Sequence, residues 1–172
     1  HHNSVDRTQS QPTPTRMEYL QLLMYLRAFG TKRAYLLVKI FGQIGINIRE
    51  LPRLTVEACR AGEVRGAEGK STVIPAGLGR ELLQYAEEQS VHAGPVIVTR
   101  NGRPIDRCNV NHMLSEAALG AGLPPEKFSP SALARMCWEA QDEVRKKLEP
   151  LYVKSYEQLL DAEQTIVAWS QT

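Results

Sequence analysis

The sequence predicts a mainly α-helical domain with one small antiparallel β-sheet, an α+β arrangement. Three observations lead there. Apolar residues recur at helical spacing through most of the chain, as in Tyr19, Leu22, Leu23 and Leu26, and again in Val110, Met113, Leu114, Ala117 and Ala118. Two short β-prone runs flank a single turn, Gly66-Ala67-Glu68-Gly69. At 172 residues and 42% hydrophobic content, the chain is long enough to bury one real core.

The elements follow in order. His1 and His2 read as the end of an affinity tag and Asn3 to Pro14 as a disordered lead, so the domain is expected to span 15–172 and residues 1–14 to stand outside it. Thr15 with Glu18 three positions on has the spacing of a capping box, and Gly30 ends the helix it opens. Thr31 starts a second helix. Tyr35, Leu36, Val38, Ile40 and Phe41 make it apolar nearly all round, which places it mid-domain, and Gly42 and Gly45 loosen its end. A short helical stretch, Ile48 to Leu51, stops at Pro52, and Leu54 to Cys59 gives one more turn.

Glu63 to Arg65 and Lys70 to Ile74 are the two strands, closed by Pro75. Leu78, Leu82, Leu83 and Tyr85 recur helically. Gly94 to Thr99 is a brief β-like run before the Asn101-Gly102 turn, and it could add a third strand. The helix from Val110 ends at Gly120 and Gly122. Ser129-Pro130 opens a last helical region reaching Trp169, with a break expected at Pro150 and with Trp138 and Trp169 in the core.

Composition removes several classes of function. Twenty-one basic residues against nineteen acidic ones give a net charge of +2, which suits neither a polybasic nucleic-acid wrapper nor an acidic disordered tail. Cys59, Cys108 and Cys137 are far apart, with no CxxC, and His92 and His112 are isolated, so neither a metal nor another cofactor is expected. Sparse, odd cysteines suit a reduced, cytoplasmic setting. No apolar run reaches the ~18 residues of a membrane span.

Four segments, taken together, resemble the catalytic domain of the tyrosine recombinases, the phage-integrase family. Ile44-Gly45-Ile46-Asn47-Ile48-Arg49-Glu50-Leu51 looks like that family's T-G-x-R-x-x-E-L segment. The hairpin ending Lys70-Ser71-Thr72-Val73-Ile74-Pro75 is similar to G-K-G-x-K-x-R-x-x-P. Arg100-Asn101-Gly102-Arg103-Pro104-Ile105-Asp106-Arg107 resembles R-x-G-x-P-L-x-R, and Lys127-Phe128-Ser129-Pro130-Ser131-Ala132-Leu133-Ala134-Arg135 resembles K-x-x-P-H-x-L-R-H. The match covers roughly residues 15 to 138.

The resemblance implies the family's fold, with DNA integration and recombination as its role and double-stranded DNA as its partner. In that chemistry a tyrosine attacks a phosphodiester, two arginines and a histidine stabilise the charge on the phosphate oxygens, and a hairpin lysine protonates the leaving oxygen. Here the two arginine positions fall on Asn47 and Ala134, the histidine on Ser131 and the lysine on Ala67. The C-terminal motif places Trp169 where the nucleophile belongs, leaving Tyr152 and Tyr156 as the tyrosines in that region. Arg49 and Arg135 are neighbours of the vacated positions, rotated about 200° and about 100° from them on a helix.

The expectation is therefore a catalytically inactive DNA-binding domain, with Arg49, Lys70, Arg100, Arg103, Arg107 and Arg135 as candidate DNA contacts. An active recombinase with a divergent site and an interaction module that keeps the fold without DNA are the alternatives. By the same resemblance the C-terminal helix, with Leu151, Leu159, Leu160, Ile166 and Val167, is a candidate for homo-oligomer contact. The family's N-terminal clamp domain has no counterpart before Thr15, which suggests a fragment or a protein without the clamp.

Overall fold

The computed structural model describes residues 12–169. Most of the predicted tag and lead lies outside these residues. Pro14, assigned to the lead by the sequence, is buried.

Helix α1, Arg16–Phe29, opens with the expected capping box. The Glu18 amide donates to Thr15 Oγ1 at 3.1 Å and the Thr15 amide donates to Glu18 Oε1 at 2.9 Å. Its Tyr19, Leu22, Leu23 and Leu26 face the core. Helix α2, Lys32–Lys39, is capped by Thr31 and buries Ala34, Leu36, Leu37 and Val38. Its end does not simply loosen. It widens into a π-helical turn, Ile40–Ile44, that buries Ile40, Phe41, Gly42 and Ile44. Gly42 is required there by close packing, because a Cβ would come within 2.5 Å of the Tyr19 ring.

A 3₁₀ turn, Ile48–Arg53, follows and carries Pro52 inside it rather than ending before it. Helix α3, Val56–Ala61, is capped by Thr55. Strands β1, Glu63–Arg65, and β2, Ser71–Val73, pair antiparallel with Val64 opposite Thr72. Helix α4 spans Ala76–Glu88, and α5, Arg107–Gly120, is capped by Asp106. A 3₁₀ turn, Pro125–Phe128, leads to α6, Pro130–Ile166.

The β-like run after Gly94 adds no third strand. Thr55 bridges Pro95, and Val98 bridges Pro104, each as an isolated pair. In both, the hydrogen bonds come from the flanking residues: the Val56 amide to the Gly94 carbonyl and the Val96 amide to the Leu54 carbonyl around Pro95, and the Thr99 amide to the Arg103 carbonyl beside Pro104. Gly94, at φ 78°, and Gly102, at φ 75°, take the chain out of extended conformation before either pairing can grow.

The expected break at Pro150 is absent, since α6 continues through it. Residues 143–150 are all exposed, so water can serve the carbonyl that Pro150 leaves without its helical donor. Trp138 and Trp169 are not core residues either, being 54% and 100% exposed.

The chain divides into two compact units, the first ending at Cys137 and the second starting at Trp138. The first holds one hydrophobic core centred on Leu36, Leu37, Phe41, Leu82 and Phe128, and the start of α6 enters it through Leu133 and Met136. Among the described residues, the second is the remainder of α6 and residues 167–169. Its Leu148, Leu151, Tyr152, Tyr156, Leu159 and Ile166 are exposed. Among the described residues no helix is long and apolar enough to cross a membrane.

Candidate nucleic-acid interface

The site is built on the 3₁₀ turn that follows the π-turn. Gly45, at φ 77°, reverses the chain in the left-handed region, where a side chain would be strained. Asn47 then caps the turn. The Glu50 amide donates to Asn47 Oδ1 at 3.1 Å, and the Asn47 amide donates to Glu50 Oε1 at 3.0 Å. This reciprocal box orients the segment so that Arg49 faces solvent. The other Glu50 oxygen lies against the hairpin turn, 3.2 Å from where a Cβ on Gly66 would stand. Arg53 Nη1 donates to the Arg65 carbonyl at 3.4 Å, a second tie between the turn and the hairpin.

Two depressions meet on this turn. One, of about 530 Å³, lies between it and the hairpin and is lined by Asn47, Arg49, Glu50, Arg53, Ala67 and Lys70, among others. The other, of about 490 Å³, lies between the turn and the starts of α5 and α6 and is lined by Asn47, Arg49, Arg107, Asn111, Ser129 and Ser131, among others. Asn47 and Arg49 belong to both.

The fold thus brings together Asn47, Arg49, Ala67, Lys70, Arg107 and Ser131, which are scattered along the sequence. Within the first unit it does not bring in Arg100, Arg103, Ala134 or Arg135. Ala134 is buried in the core, one turn beyond Ser131. Arg135 is half-buried and lines neither depression. Tyr152 and Tyr156 are exposed on the second unit.

Arg100 and Arg103 stand on a separate exposed turn. The Thr99 amide donates to the Arg103 carbonyl at 2.7 Å, and Gly102 takes φ 75° to close the reversal. Arg33 holds this turn from below. Its Nη2 donates to the Val98 carbonyl at 2.6 Å and its Nε to the Tyr85 hydroxyl at 3.0 Å.

Arg53, Asn111 and Ser129 were not legible as site residues. Nothing in the local pattern of α5 marks Asn111, which reaches the site only because α5 begins beside Ser129 and the 3₁₀ turn. Arg53 offered a weak signal, as a cation after Pro52 at the end of a helical stretch.

The chemistry available is charge and hydrogen bonding. Arg49, Arg53, Lys70 and Arg107 carry positive charge around the two depressions, against Glu50, which is engaged in the capping box, and Glu68. Among the described residues no group of three or more His, Cys, Asp or Glu is placed to hold a metal ion. Burial pushes the Cys59 thiol up to about 11 and raises that of Cys137, so neither is an activated nucleophile.

No family model matches the sequence, and no curated protein matches it. Among solved structures, the crystal structure of XerA recombinase aligns with 73% of this chain and 47% of its own, with a TM-score of 0.61 and 16% identity. The chain therefore spans about half the length of that recombinase, and likeness at this identity is likeness of fold. In fold, the chain is similar to a recombinase catalytic domain, the architecture implied by the four sequence segments.

Proposed function

We propose that this protein binds duplex DNA through a tyrosine-recombinase-type domain that does not cut it, in DNA integration and recombination within the cytoplasm. One observation carries the reading. The two depressions that share Asn47 and Arg49 gather Arg53, Lys70 and Arg107 around one surface, on a recombinase-like fold. Such cations neutralise successive phosphates and position a protein on DNA without reading bases.

The same surface argues against cleavage. The family's arginine, lysine and histidine positions hold Asn47, Ala67, Ser131 and Ala134. Losing one preorganised donor costs about 10²–10³ in rate, and several are missing. Tyr152 and Tyr156 lack the family's motif context.

Duplex binding followed by fluorescence anisotropy across a salt series tests this. The logarithm of affinity should fall linearly with the logarithm of salt, and Arg49→Ala, Lys70→Ala or Arg107→Ala should each reduce the slope by about 0.9. No binding at low salt would remove the reading. A duplex nicked beside the scissile position should yield no covalent adduct. An adduct abolished by Tyr152→Phe or Tyr156→Phe would establish an active recombinase instead.

The second unit supports an additional role, self-association through α6, because Leu148, Leu151, Leu159, Leu160 and Ile166 are all exposed on it. Sedimentation equilibrium should show a dimer or larger species that Leu148→Glu with Leu159→Glu converts to monomer.

A further inference from the structure

We propose that the cleft between α3 and the end of α4 binds a small zwitterion, an α-amino acid with a short aliphatic side chain. The cleft, of about 340 Å³, shares no lining residue with the two depressions on the 3₁₀ turn. The inference therefore goes beyond the DNA-binding reading and stands apart from it.

The end of α4 builds one wall. The Ser90 amide donates to the Glu87 carbonyl at 3.1 Å and the Val91 amide to the Ala86 carbonyl at 2.8 Å, the double closure of a Schellman motif. Ser90 takes φ 57°, the one positive φ among the described residues that does not fall on glycine. A side chain is strained in that region, and strained residues gather at ligand clamps. The closure turns Val91 back toward Ala86, and the next residue, His92, stands exposed at the rim.

The lining divides by chemistry. Val56, Leu83, Ala86 and Val91 are buried or half-buried and supply an aliphatic floor. Arg60 comes from α3, Glu87 from α4 and His92 from beyond the motif, and all three are exposed. Among the described residues no ion pair or side-chain hydrogen bond engages any of them. Arg60 favours the charged form of Glu57 through space, but Glu57 does not line the cleft and its Oε1 accepts the Gly94 amide at 3.1 Å.

These groups select their ligand. A bare anion would meet Glu87, and a bare cation would meet Arg60. A ligand with a carboxylate and an ammonium on one carbon answers both, and the His92 N–H is a further donor to the carboxylate. The aliphatic floor takes the ligand's side chain. The volume lies at the low end of the roughly 300–1,000 Å³ usual for small-molecule pockets, which suits a ligand of this size.

Backbone amide NMR shifts under titration with L-valine test the site, beside isovalerate, which lacks the ammonium, and isobutylamine, which lacks the carboxylate. L-Valine should shift the Arg60, Val91 and His92 amides and saturate in the millimolar range. Each analogue should bind roughly fivefold more weakly, the most that one exposed charge pair contributes. Arg60→Ala should remove the advantage of valine over isobutylamine, and Glu87→Gln its advantage over isovalerate. Both residues are exposed, so neither change disturbs the core. Arg49→Ala, outside the cleft, should leave valine binding unchanged.

No saturable shift with L-valine would overturn the inference. So would an analogue that binds the parent chain as tightly as valine, or an advantage that survives the matching variant.

Discussion

Asn47 stands where the family resemblance places an arginine, and it has a task that arginine cannot perform. Its side-chain oxygen accepts the Glu50 amide while Glu50 accepts its own amide. Asn47→Arg should therefore weaken the 3₁₀ turn by about 1 kcal/mol, the usual cost of losing a cap, and lower the thermal midpoint without conferring DNA cleavage. The substitution was legible in sequence, but its structural purpose was not, because a cap is recognised only once the turn it closes is known. The reverse holds for Glu18. Its capping box with Thr15 was legible, but not the Lys127 ammonium, which donates to both carboxylate oxygens at 3.2 Å from 109 residues further along the sequence. The Thr15 amide, and then Lys127, hold the Glu18 carboxyl below the ordinary glutamate range. A lowered pKa in the folded state adds stability that is present above the unfolded value of about 4.3 and lost as pH falls through the folded one. Lys127→Met should lower the thermal midpoint at pH 7, and the difference from the parent should shrink steadily below about pH 4.

At the scale of elements, helices were legible where apolar spacing and a cap coincided, as in α1 and α2, whereas the start of α5 at Arg107, capped by Asp106, was read three residues late. The exceptions lie elsewhere. The predicted third strand shrinks to single bridges between the positive-φ turns at Gly94 and Gly102, and Pro150, predicted to break α6, lies inside it because both flanks are water-exposed helix. What fixes the segment after Gly94 is a set of contacts distant in sequence. The Val56 amide donates to the Gly94 carbonyl at 2.9 Å, the Val96 amide to the Leu54 carbonyl at 3.0 Å, and Arg33 to the Val98 carbonyl. Arg33 therefore acts on the Arg100–Arg103 turn without reaching it. Arg33→Ala should speed hydrogen exchange at the Thr99 and Gly102 amides. It should also weaken duplex binding to the extent that Arg100→Ala with Arg103→Ala does, and combining all three should add little, because both routes remove the same contact. Full additivity would show that Arg33 acts elsewhere.

For the whole molecule, the decisive feature is how the hydrophobic residues are divided. Every buried member of the core lies between Tyr19 and Cys137, while the apolar side chains of α6 from Val144 onward are exposed. The sequence did not reveal this division. Leu151, Leu159 and Leu160 have the spacing of a packed helix, and periodicity alone cannot say whether the surface they meet belongs to the same chain. The division predicts that the first unit folds without most of the second. A chain ending at Glu139 keeps the whole core, including the Leu133 and Met136 contacts, and loses only helix that buries no apolar residue among those described. Its cooperative thermal transition, followed by the near-ultraviolet signal of buried Tyr19 and Phe128, should stay within about 1 kcal/mol of the parent, because every buried core residue is retained. Far-ultraviolet helicity should drop by the share that residues 140–166 of α6 contribute, and any self-association should disappear. The shortened chain should still bind duplex DNA with the parent's salt slope, since Arg49, Lys70 and Arg107 are all retained. A truncated chain that fails to fold, or that loses the slope, would place part of the stability or of the DNA surface on the helix beyond residue 139.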